Sequence, residues 1–244
     1  MNTSIFFNID RQPIPHVTET QMREVDRVAV EEFNLGILQM MENAGRNLAL
    51  QAMEILQEQP GKTITIAAGS GGNGGGGLCA ARHLHNRGYN IDLLLTKPVD
   101  QILGAAKNQL DILTNAGLRP TAMENAEQAV SESDLVIDAL IGYSLRGAPA
   151  GNTKKLIRLI NQSAKGVLSL DLPSGIDATN GETPGEFIEA ERTLTLALPK
   201  PGLQHPASGQ LFLADIGIPP QVYQKIGIEL EPVFGHQYTI ELKT

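Results

Sequence analysis

Four short apolar runs, TITIAA at 63–68, IDLLL at 91–95, DLVIDAL at 134–140 and GVLSLDL at 166–172, recur along the chain with helical stretches between them. Strands this continuously apolar have both faces covered, which is the signature of a parallel sheet flanked by helices. The intervening segments Leu78–Arg87, Ile102–Ala116, Glu124–Ser131 and Thr153–Asn161 carry the spacing expected of those helices. A short strand is expected at Arg119–Met123, further strands at Arg192–Leu198 and Gly209–Leu213, and a short helix at Pro219–Ile226. Two helices precede the first run. The first opens on the capping box Thr18-Glu19-Thr20-Gln21, and the second follows Asn34-Leu35-Gly36 and stops before Pro60-Gly61. No repeat, low-complexity tract or linker interrupts the pattern, so the expected architecture is one doubly wound α/β domain over residues 1–244.

Composition narrows the function. With 41% hydrophobic and 19% charged residues the chain is globular rather than disordered or fibrous. The balance of 19 Lys and Arg against 27 Asp and Glu, without blocks of like charge, disfavours nucleic acid and anionic membranes as partners. No apolar stretch approaches the roughly 18 residues of a membrane span, and the N-terminus has no leader pattern. The single cysteine, Cys79, permits no internal disulfide, so a cytoplasmic protein is expected.

In an open parallel sheet, ligands bind beyond the carboxyl ends of the strands, where the strand order reverses. The first run ends there in GSGGNGGGG, which holds G-x-G-x-x-G at Gly69, Gly71 and Gly74, and glycines so placed let backbone N–H groups and a helix N-terminus approach a phosphate. The acid that would hold a dinucleotide's ribose about 20 residues later is missing, since Thr96 and Lys97 stand there, and an ordinary dehydrogenase is disfavoured. Asp138 and Asp171 end two other apolar runs, where a carboxylate could move a proton or bind a cation. The plainer alternatives are that Asp138 caps the next turn and Asp171 organises the Pro173-Ser174-Gly175 bend. Lys200, between Pro199 and Pro201, is either an aimed ammonium or a surface lysine. His83 and His85 spell no zinc site, and Cys79 is expected to be a small buried residue rather than a nucleophile.

Five ordered motifs, QMMENAGRNLA at 39–49, the glycine run with LCAARHL, DALIGYSLRG at 138–147, LSLDLPSGIDATNG at 168–181 and LTLALPKPGL at 194–203, resemble the YjeF N-terminal domain, the NAD(P)H-hydrate epimerase family. The resemblance covers about Thr18 to Gly217. It implies a Rossmann-like three-layer sandwich with a mostly parallel central sheet, preceded by the two N-terminal helices. It implies an isomerase of metabolite repair that interconverts R- and S-NAD(P)HX, works as a homodimer and serves a separate ADP- or ATP-dependent dehydratase. Substrate contacts are implied for Gly72, Asn73, Gly74, Gly75 and Gly76, for Gly142, Tyr143, Ser144, Leu145, Arg146, Gly147 and Ala148, and for Asp171. A potassium ion is implied at Asn73, Asp138 and Ser174, and Asp171 with Lys200 would carry the proton transfers. The family loop reads GxGNNGGDG, so Gly72 and Gly76 replace an asparagine and an aspartate, and Ala148 stands where many members have an acid. Two other readings remain open on the sequence: a nucleotide-binding or homodimeric scaffold of the same fold without catalysis, and an enzyme acting on another nucleotide-like substrate.

Overall fold

The computed structural model of the chain describes residues 5–244. Among the described residues, six strands form the parallel sheet: β3 (Thr63–Ala68), β4 (Asn90–Leu95), β5 (Leu135–Ala139), β6 (Val167–Leu170), β7 (Arg192–Leu196) and β8 (Gln210–Ala214). Three antiparallel strands, β9 (Thr239–Lys243), β1 (Phe6–Asn8) and β2 (Pro13–Ile14), extend the far edge, giving the order β2-β1-β9-β8-β7-β6-β5-β3-β4. The alternation along each central strand explains why the runs are apolar throughout. Ile64, Ile66 and Ala68 of β3 and Leu135, Ile137 and Ala139 of β5 belong to the larger core, whereas Ala67 and Val136 between them belong to the smaller core on the other face.

Helices α1 (Glu19–Glu31), α2 (Ile37–Ile55), α3 (Gly72–His85) and α4 (Gly104–Asn115) contribute to the larger core, and α5 (Ala126–Glu132) and α6 (Gly151–Ser163) cover the opposite face. The last helix, α7 (Pro220–Lys225), adds Val222 and Tyr223 to the larger core. The cap expected at Thr18 is present, with the Gln21 N–H donating to Thr18 Oγ1 at 3.3 Å and the Thr18 N–H donating to Gln21 Oε1 at 2.9 Å. Both N-terminal helices precede the parallel strands as expected, but the hairpin β1–β2 lies before them.

Two segments differ from the sequence reading. No strand forms at Arg119–Met123. Thr121 N–H donates to Leu93 O at 2.8 Å beside β4, but Pro120 offers no donor to continue the ladder, and a turn of 3₁₀ helix at Met123–Asn125 follows. Helix α3 begins at Gly72, within the glycine run, rather than at Leu78. Glycine disfavours helix by about 1 kcal/mol relative to alanine, so packing decides. A Cβ on Gly75 would stand 2.5 Å from Met41 Cε of α2, and one on Gly77 would stand 2.5 Å from Ala139 Cβ of β5. The helix lies closer to its neighbours than side chains would allow.

Candidate active site

Strand β3 pairs with β4 on one side and β5 on the other, so the strand order reverses between β3 and β5, and a crevice opens beyond their carboxyl ends. At Gly69 the chain leaves β3 against β5, with its N–H donating to Ala139 O at 3.0 Å, and a Cβ there would fall 2.0 Å from Leu140 O. This contact turns the chain into α3. The first intrahelical bond runs from Gly75 N–H to Gly71 O, leaving the N–H groups of Gly72, Asn73 and Gly74 at the open end of the helix.

A cleft of about 200 Å³ lies beside that helix end. Gly72, Asn73 and Gly76 of α3 form one wall, Gly142, Tyr143 and Ser144 after β5 a second, and Met40, Met41 and Ala44 of α2 an apolar third. Asp171 and Lys200 face into it from the ends of β6 and β7. Asp171 is 3% exposed and Lys200 fully buried, and Lys200 Nζ donates to Asp171 Oδ1 at 2.5 Å and to Leu196 O at 2.9 Å. Asp171 Oδ2 accepts the Tyr143 N–H at 3.0 Å. The backbone fixes this pair: Asp171 has φ +70° and Ala197, on the approach to Lys200, has φ +64°. Left-handed backbone at residues other than glycine costs on the order of 1 kcal/mol each and persists where the surroundings impose it.

Asp138 is fully buried at the end of β5. Its Oδ2 accepts from Ser169 Oγ and the Ser174 N–H, both at 2.8 Å, and its Oδ1 from Ser174 Oγ at 2.5 Å and the Leu140 N–H at 3.2 Å. Asp138, not Asp171, therefore organises the Pro173-Ser174-Gly175 bend. Burial pushes the Asp138 carboxyl above its ordinary range against the pull of these donors. Ser174 Oγ also lies 3.1 Å from Ile141 O, while the Asn73 amide donates to Leu170 O at 3.2 Å and turns its oxygen towards Gly142. Oxygens of Asp138, Ser174, Ile141 and Asn73 thus collect around the Ile141–Gly142 peptide, a hard donor set that suits an alkali or alkaline-earth cation.

Other residues of the implied site lie apart from the cleft. Gly74 and Gly75 are buried in α3, Leu145 is buried beneath the loop, and Arg146, Gly147 and Ala148 are exposed without lining it. Two groups escaped the sequence reading. Asp26 of α1 lines the cleft and accepts from Tyr143 Oη at 2.6 Å. Its signal was weak: it borders the buried Met22, Val25 and Ala29 but is surrounded by Arg23, Glu24 and Arg27, which read as a solvated face. The second is a cluster of Glu42, Cys79 and His83, whose ligand atoms lie within 4.8 Å of one another. The guanidinium of Arg82 already occupies it, bonded to Glu42 and 3.4 Å from Cys79 Sγ, so a resident cation fills the place of a metal. Burial, with Glu42 beside it, pushes the Cys79 thiol up to about 12.

A crevice at the reversal of a parallel sheet, an exposed helix N-terminus and a buried aspartate–lysine pair define a Rossmann-like α/β protein with a largely apolar ligand cleft that holds a few polar groups. The chain matches the family model described as YjeF-related protein N-terminus over residues 37–202, and it belongs to that family. It is 47% identical over 225 residues to the NAD(P)H-hydrate epimerase of Dehalogenimonas lykanthroporepellens, covering 92% of this chain and 91% of the relative. It is 37% identical to the bifunctional NAD(P)H-hydrate repair enzyme of Moorella thermoacetica, covering 84% of this chain but 41% of that longer protein. The crystal structure of a yeast protein superposes with a TM-score of 0.83 at 21% identity, covering 93% of this chain and 100% of that one, which shows the shared fold. No helix among the described residues is long and apolar enough to cross a membrane.

Proposed function

We propose that this protein is an epimerase of hydrated nicotinamide nucleotides, interconverting R- and S-NAD(P)HX. The buried Asp171–Lys200 pair facing the cleft carries the reading, because it sets a carboxylate and its counter-charge where a bound ring would lie. The epimerase relative matched over nine-tenths of both chains supports the substrate. Asp171 exchanges the proton on its side of the ring, giving it to the hydroxyl of the hydrated ring carbon as that leaves as water or taking it from the water that adds back. Lys200 balances the charge of Asp171 and holds its orientation. The open amides of α3 would face a nucleotide phosphate, and Gly72 and Gly76 keep that wall free of side chains.

Potassium belongs to the same reading, held by Asn73, Asp138 and Ser174, where its charge would order the loops after β5 and β6. Its support is the collection of oxygens around Ile141 and Gly142. A homodimer in the cytoplasm, feeding a separate dehydratase, completes the proposal. Ile37 and Leu38, 45% and 44% exposed side by side at the start of α2, are the apolar surface offered for self-association, and the bifunctional relative supports the dehydratase step.

The test is conversion of R-NADHX to S-NADHX in potassium, followed with an S-specific dehydratase, for the wild-type protein and Asp171→Ala. Turnover abolished in the variant is the expected result. A folded wild-type protein without turnover refutes the reading and favours the non-catalytic scaffold.

A further inference from the structure

The epimerase reading leaves one chemical requirement open. When a carbinol carbon beside a ring nitrogen is inverted by losing water from one face and adding it to the other, a proton is transferred at each face of the ring. On one face an acid gives its proton to the hydroxyl oxygen, the C–O bond breaks with its electron pair leaving on water, and the nitrogen lone pair closes a C=N bond. Water then adds from the other face, the C=N pair returns to nitrogen, and the surplus proton goes to a base there. One proton has moved from one group to the other, and solvent resets the pair between turnovers. Asp171, locked to Lys200 at the floor of the cleft, serves one face only.

The cleft holds a second carboxyl. Tyr143 spans the two: its backbone N–H donates to Asp171 Oδ2 at 3.0 Å, and its phenolic hydroxyl donates to Asp26 Oδ2 at 2.6 Å. The two acids are therefore held apart by the length of one tyrosine side chain, and both line the same cavity. Resting on the epimerase reading, we propose that Asp26 is the second catalytic residue, exchanging a proton with the substrate on the face opposite Asp171, and that Tyr143 positions it. Their surroundings differ in the sense the chemistry needs. Asp171 is paired with an ammonium, whereas burial raises the Asp26 carboxyl above its ordinary range, opposed by the Tyr143 hydrogen bond and by Lys200. The charged and titratable groups facing Asp26 are Arg23 on its own helix, whose guanidinium lies 5.7 Å from the Tyr143 ring centre, together with Tyr143, Lys200, Asp171 and Tyr223.

The experiment compares kcat and KM for R-to-S conversion across pH in wild type, Asp26→Asn, Asp26→Glu and Tyr143→Phe. Asp26→Asn should lower kcat by about 100-fold or more while KM stays within roughly threefold, and one limb of the pH–kcat profile should vanish. Asp26→Glu should restore part of kcat and the missing limb. In Tyr143→Phe the loss of a hydrogen bond that favours the ionised carboxyl should move that limb to higher pH. Asp26→Asn with wild-type kcat and pH profile, or with raised KM alone, overturns the proposal. If Asp26→Asn fails to fold, an unmoved limb in Tyr143→Phe overturns it instead. Absence of turnover in the wild type would refute the epimerase reading itself, which is a separate outcome.

Discussion

Replacing Lys200 with methionine tests whether the buried ion pair is an electrostatic unit. The methionine keeps most of the aliphatic stem but removes the donor that reaches Asp171 Oδ1 at 2.5 Å and Leu196 O at 2.9 Å. Breaking a buried pair from one side leaves an uncompensated charge and costs about 3–5 kcal/mol. Asp171 would retain the Tyr143 N–H at 3.0 Å and the Leu196 N–H at 3.4 Å, which places the loss near the lower end of that range. For a chain of this size about 3 kcal/mol corresponds to a fall in Tm of roughly 6–12 °C. Urea denaturation of wild type, Asp171→Asn, Lys200→Met and the double variant reads the effect. Each single variant should be destabilised, and the double should recover at least about half of the summed loss, because it leaves no buried charge unpaired. A Lys200→Met unfolding free energy within about 1 kcal/mol of wild type, or a double variant as unstable as the sum of the singles, would refute the reasoning.

Gly77→Ala places a Cβ 2.5 Å from Ala139 and should destabilise by about 1–3 kcal/mol in urea, whereas Gly72→Ala, with open space around it, should be neutral or slightly stabilising. Wild-type protein should melt at higher temperature in potassium than in sodium at equal ionic strength. Ser174→Ala should abolish that increment and lose a further 1–3 kcal/mol or so, because the Ile141 N–H gives up its acceptor at 2.8 Å, as thermal scans in both salts will show. The Cys79 thiol, fully buried and pushed up to about 12, should resist a maleimide in the native protein at neutral pH and react fully in denaturant.

The parallel core was legible because its strands are buried on both faces, which writes itself as unbroken apolar runs at Thr63–Ala68 and Leu135–Ala139. The antiparallel edge was not: Phe6–Asn8 and Pro13–Ile14 are too short for a period to register, and β9, TIELK, alternates over five residues only. At Arg119–Met123 extended composition misled, since Pro120 removes the donor that a ladder would use. The start of α3 was hidden for a different reason. Glycine advertises a loop by propensity, and its use to seat a helix hard against α2 and β5 appears only once those partners are in place. Asp171, Asp138 and Lys200 could be singled out because polar residues closing apolar strands have no local reason to be there. That Asp138 caps its own turn through the Leu140 N–H and also ties the Pro173-Ser174-Gly175 bend could not, because Ser174 reaches Asp138 across 36 positions of chain. Asp26 sits on a helix, where one acid among several carries no mark until the tertiary fold turns it inward.

The glycine-built turns of α3 also govern which changes in ligand preference single mutations can reach. At Gly74 a Cβ would fall 1.8 Å from Gly69 O and at Gly77 2.5 Å from Ala139 Cβ, atoms that cannot swing aside, so those positions are closed to stepwise change. At Gly72 a Cβ meets nothing within 4 Å, and at Gly76 it meets only the end of the Leu170 side chain, at 2.7 Å. Both positions line the cleft. A lineage carrying this chain can therefore retune the mouth of its site at two addresses, adding or discarding a polar hand for the nucleotide, without disturbing the wall that holds the rest in register.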